Sequence, residues 1–94
     1  MAREQRLQPG KTFLVEHYRP GRDVAQLRSS IARVREIVAE MELAGEPVRY
    51  LSATIMPNDE SFFCLIEAAS EGVVSDVYGR AGVPFERISA AICV

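Results

Sequence analysis

Val24, Leu27, Ile31, Val34, Val38 and Met41 recur at alternating steps of three and four, the spacing that gathers side chains on one face of an α-helix. An apolar stripe of that length has to be buried against another element. Asp23, just ahead of it, carries the carboxylate an N-cap needs to accept orphan backbone N–H groups. Gly45 and Pro47 close the helix. The segments around it have a different period. Thr12–Tyr18 is rich in β-branched and aromatic residues and halts at Pro20-Gly21, so it reads as a strand. Val48–Met56 and Ser61–Ala68 read as two more, joined by the turn residues Pro57-Asn58-Asp59-Glu60. Ser70 serves as N-cap for a shorter helix carrying Val73, Val74, Val77, Tyr78 and Ala81, and Gly82 and Pro84 stop it. Ile88–Val94 alternates again as a last strand.

The order is βαββαβ, which predicts an α+β, ferredoxin-like domain. Its four-stranded antiparallel sheet has the order 4-1-3-2, with both helices on one face. With 94 residues there is room for one such domain over 12–94, preceded by a polar stretch, 1–11, that reads as a flexible tail. A chain this short buries only roughly 60–65% of its unfolded surface, which favours pairing with a second copy.

Composition excludes several classes. No apolar run approaches the ~18 residues that span a bilayer, and the charged N-terminus has no apolar stretch behind it to make a secretory signal. The expectation is a cytoplasmic protein with no membrane contact. Residues 1–35 hold eight of the eleven Lys and Arg, but the net charge is −2 and these arginines alternate with apolar residues at helical spacing. That pattern is a solvated helix face, and no nucleic-acid partner is expected. Neither a paired-cysteine motif nor a phosphate-cradling glycine motif occurs.

Strand alternation sorts the side chains between the two faces of the sheet. Phe13 and Val15, then Leu51, Ala53, Ile55, Phe62, Cys64, Ile66, Ile88, Ala90 and Ile92, are assigned to the helix side. Pairing about the turn sets Thr54 opposite Phe63, Ser52 opposite Leu65 and Tyr50 opposite Glu67. The open face then carries Leu14, Tyr18, Tyr50, Phe63 and Leu65 around Glu16, Ser52, Thr54 and Ser89. Such a face is too apolar to stay wet over a wide area. Two readings stand: a plain homodimer interface, or a cleft between two sheets that also binds a small molecule. The candidate ligand-binding residues are Glu16, Tyr18, Tyr50, Ser52 and Phe63.

Glu16, central in its strand and flanked by apolar residues, is the one carboxylate suited to acid–base work, with an ion pair to Arg87 as the alternative. Glu67 sits toward the other end of the sheet and makes no dyad with it. His17 is the only histidine, faces the helices, and has no ligand-type neighbour at metal-binding spacing. No metal site is predicted, and the residues name no cofactor. Cys64 and Cys93 lie on strands about 9–10 Å apart, beyond the ~7 Å limit for a disulfide. They are expected as free thiols.

Phe13-Leu14-Val15-Glu16, Cys64-Leu65-Ile66-Glu67-Ala68 and Arg80-Ala81-Gly82-Val83-Pro84 resemble, in order and spacing, a family of small ferredoxin-like proteins that includes a nickel-binding protein. The resemblance covers roughly 12–92 and implies a dimeric α/β barrel in which two sheets face each other. It also marks Glu16 and Glu67 as the family's carboxylates. Where that family carries histidine or glutamate, this chain has Ser52, Tyr78, Gly79 and Val83, which removes candidate nickel ligands. Three functions follow: a dimer binding a small ligand without catalysis, a small barrel enzyme of monooxygenase or isomerase type using Glu16, and a nickel-binding protein. The first is the reading these residues favour.

Overall fold

In a computed structural model that describes residues 10–94, the elements are β1 (Lys11–Tyr18), α1 (Val24–Leu43), β2 (Val48–Met56), β3 (Ser61–Ala68), α2 (Glu71–Ala81) and β4 (Arg87–Ala91). The strands form one antiparallel sheet in the order β2-β3-β1-β4, which is the ferredoxin-like arrangement. Most of the tail read over 1–11 lies outside the described residues. Lys11 already belongs to β1 and pairs with Ala68. No helix among the described residues is long and apolar enough to cross a membrane.

Local chemistry accounts for the helix ends. Asp23 accepts from the Gln26 backbone N–H while the Gln26 side chain accepts from Asp23 N–H, a reciprocal capping box. The Ser70 hydroxyl accepts from Val73 N–H at the start of α2. Gly82, at φ 68°, ends it in the left-handed conformation that glycine adopts without Cβ strain. Between β2 and β3, Pro57–Asp59 forms a single 3₁₀ turn. Glu60 then anchors the loop leaving β1, its carbonyl accepting from Arg19 N–H at 2.7 Å and its carboxylate from Gly21 N–H at 2.8 Å.

One core lies between the helices and the sheet. Leu27, Val34, Ile37, Val38 and Met41 of α1 and Val74, Val77 and Tyr78 of α2 close over Phe13, Val15, Phe62, Cys64 and Ile66. Besides Leu51 of β2, two residues assigned inward lie elsewhere. Val24, in the first turn of α1, is exposed, and Ile92 falls past the end of β4, which stops at Ala91.

The larger correction is in β2. Ser52 pairs with Leu65 and Thr54 with Phe63, as the hairpin predicts, but Tyr50 pairs with Ile66 and Arg49 with Glu67. A β-bulge at Leu51 inserts one extra residue and reverses the alternation before it. Tyr50 therefore packs on the helix side rather than the open face, and Leu51, assigned inward, is exposed. Val48 and Ile55 stand an odd number of steps apart, so strict alternation cannot turn both inward. The bulge allows both to pack against the core.

Candidate functional site

The face of the sheet away from the helices is built from alternate residues of all four strands. Leu14 and Glu16 of β1 stand beside Phe63 and Leu65 of β3, with Ser52 and Thr54 on the β2 side and Arg87 and Ser89 on the β4 side. Leu14, Phe63 and Leu65 are half-buried on this face. Tyr18 at the end of β1 is 53% exposed, and its backbone N–H donates to the Glu86 carboxylate.

Glu16 is the polar centre of this face. Its direct cross-strand neighbours are Phe63 and Arg87. Arg87 donates from Nε at 2.7 Å and lies within 2.6 Å through Nη2, both on Glu16 Oε2. Neither Arg87 contact falls on Oε1, which leaves that oxygen as an acceptor for a ligand donor. Glu67 pairs with Arg49 at 3.4 Å and is aligned with Thr12, four positions from Glu16 along β1. The two carboxylates form no dyad.

Of the five residues expected around the cleft, Glu16, Tyr18, Ser52 and Phe63 occupy the open face. Tyr50 is separated from them by the sheet. Its ring lies in a groove between α1 and β2, beneath the guanidinium of Arg35 at 5.3 Å. Burial pushes its phenol up from the usual range, with Cys64 adding to the rise and Arg35 opposing it. Leu51 is the residue that alternation missed on the open side.

His17 is enclosed in the core. Its ring stacks on Phe62 with centroids 4.1 Å apart and leans on Tyr78 at 4.9 Å. Nδ1–H donates to the Pro84 carbonyl at 2.8 Å, which leaves Nε2 as an unpaired acceptor. Burial lowers its pKa to about 4, against the partial compensation of the Pro84 hydrogen bond and the Glu86 charge. The Cys64 thiol, also sealed, is pushed up to about 11 by burial, so it is no thiolate nucleophile at neutral pH. Cys93 is exposed, and both cysteines are free. Among the described residues no three His, Cys, Asp or Glu side chains are grouped to hold a metal ion.

The sequence profile of a family described as nickel responsive protein SCO4226-like matches residues 13–90. The fold is similar to the crystal structure of SCO4226 from Streptomyces coelicolor A3(2), with a TM-score of 0.70 and 24% identity over 88% of this chain and 98% of that one. No curated protein sequence matches the chain.

Proposed function

The chain belongs to the nickel-responsive SCO4226-like family, and from that premise we propose that it is a homodimer whose open sheet faces meet and hold a small molecule without catalysis. The observation that carries this reading is the band of Leu14, Phe63 and Leu65, half-buried side by side on the face away from the helices, with the Glu16–Arg87 pair set beside it. An apolar band removes water when a second copy closes over it. A carboxylate held by Arg87 through one oxygen supplies directional polarity inside the resulting cleft. Ser52, Thr54 and Tyr18 add hydroxyls at its margin. Glu16 in this reading is a binding group, its charge committed to Arg87.

The family's description raises nickel directly, and the donors among the described residues do not fit it. Nickel needs several imidazole, thiolate or carboxylate donors converging on one point. His17 is sealed behind Phe62 and Tyr78, Cys64 is buried in the core, and Glu16 and Glu67 are apart and ion-paired. No step of the proposed function passes through a metal.

Native mass spectrometry of the protein as purified tests the reading. A dimer carrying a non-metal adduct is the expected result. Phe63→Glu, which puts a charge in the middle of the band, should convert the dimer to a monomer while far-UV circular dichroism is unchanged. A bare monomer from the unmodified chain overturns the reading. A dimer loaded with a transition-metal mass replaces it with the nickel function.

A further inference from the structure

The groove that receives Tyr50 has a composition of its own. Arg28, Ile31, Ala32 and Arg35 occupy positions i, i+3, i+4 and i+7 of α1 and so share one face of the helix. Facing them from β2 are Tyr50, Ala53 and Ile55. Together they line an open groove of about 410 Å³, the size of a small-molecule site. The two guanidiniums spring from backbone positions two turns, about 10.5 Å, apart. Between them the lining is apolar.

Two features separate this groove from an ordinary solvated helix face, and its charge pairing bears on what it can bind. The bulge at Leu51 gives up regular pairing in β2 and turns an aromatic ring into the groove. That ring holds the Arg35 guanidinium over its face, which restrains a side chain that would otherwise sample many rotamers. Charge pairing is also uneven. Arg33 on the other side of α1 pairs with Glu36, and Arg49, Arg80 and Arg87 all have carboxylate partners. Arg28 and Arg35, like Lys11, Arg19 and Arg22, form no ion pair among the described residues, so within the groove both guanidiniums have donors available to an anion.

We propose that this groove binds an elongated dicarboxylate, one carboxylate on Arg28, the other on Arg35, and its apolar middle along Ile31, Ala32, Ala53 and Ile55. Planar guanidinium matches carboxylate geometry, and a hydrocarbon spacer lies against the apolar lining with little loss of hydration at either charged end. The site shares no residue with the open-face cleft, so it holds or fails independently of that reading.

Isothermal titration calorimetry with suberate, an eight-carbon dicarboxylate, tests the proposal, with octanoate as the one-ended analogue of equal length. Suberate should bind once per protomer, and octanoate about tenfold or more weakly. Arg28→Gln and Arg35→Gln should each weaken suberate by about tenfold or more, whereas Arg33→Gln should leave it unchanged. All three side chains are exposed, and circular dichroism checks that the variants fold. Amide shift changes on titration should centre on Ile31, Ala53 and Ile55. No binding of suberate up to about 10 mM, equal binding of octanoate, an equal loss in Arg33→Gln, or shifts centred on Leu14 and Phe63 would each overturn the proposal.

Discussion

His17 Nδ1–H donates to the carbonyl oxygen of Pro84 across 2.8 Å, tying the end of β1 to the segment that follows α2. The bond selects one tautomer and leaves Nε2, buried, with nothing to accept from among the described residues. Protonating Nε2 would place a charge among Phe62, Tyr78 and Cys64, which is why the native imidazole stays neutral down to about pH 4. In the unfolded chain the ring takes its proton near the ordinary 6.5. Between those values the unfolded state binds more protons, so stability is full above about pH 6.5 and falls as the pH drops toward 4. Urea unfolding should lose about 2 kcal/mol between pH 7 and pH 5 from this group. His17→Phe should remove that slope, and an unchanged slope in the variant would refute the assignment.

The Glu16–Arg87 pair reports whether its face is covered. Arg87 is 69% exposed in one protomer and Glu16 27%, so a double-mutant cycle with Glu16→Gln and Arg87→Gln should give a coupling below about 1 kcal/mol when the protein is dilute. Covering by a second copy removes solvent screening and strengthens the pair. The coupling should therefore rise with protein concentration. A concentration-independent value would count against the sheet-to-sheet dimer.

Gly10 sits at φ +96°, and a Cβ there would lie 2.5 Å from the Ala68 carbonyl oxygen. Both the left-handed backbone and the collision with main chain penalise any side chain, so Gly10→Ala should cost about 2 kcal/mol or more in chemical denaturation. Gly21 has a similar φ of +81° but open space around it. Gly21→Ala should therefore cost only the backbone term, about 1 kcal/mol. Equal losses would show that the contact with Ala68 contributes nothing.

The two thiols should differ in reactivity. Cys64 is inaccessible and held above the usual thiol range, whereas Cys93 is exposed beyond β4. At pH 8 a thiol-exchange reagent should titrate one equivalent in the native protein and two in denaturant. Cys93→Ser should abolish the native reaction; persistent labelling of that variant would mean that the core around Cys64 opens readily.

Asp23 holds the start of α1 through its exchange of hydrogen bonds with Gln26. Asp23→Ala should lower stability by about 1 kcal/mol, and Asp23→Ser should recover most of it because the hydroxyl accepts from the same N–H. The readout is the urea midpoint at neutral pH. No difference between the two variants would show that the cap is not what anchors the helix.

The sequence alone determined the element order, the caps and the sheet order. Residue periodicity sets helix against strand, and Asp23, Ser70 and Gly82 act through groups within a few residues of themselves. Once the order βαββαβ stands, handedness leaves almost no competing topology. That Glu16 and Phe63 share the open face was legible too, because β1 and β3 alternate without interruption; that they pair was not. The face of Tyr50 was not. Val48–Met56 can be read as a clean alternation with Leu51 inside, and only the requirement that Val48 and Ile55 both pack against the core overrides it. That requirement comes from α1 and β3 closing over the sheet, contacts distant in the chain. The bulge, the ring of Tyr50 under Arg35 and the unsatisfied Nε2 of His17 were therefore decided by tertiary structure, because each depends on which surfaces meet. Burial in the packed core sets them, and no local pattern of residues encodes it.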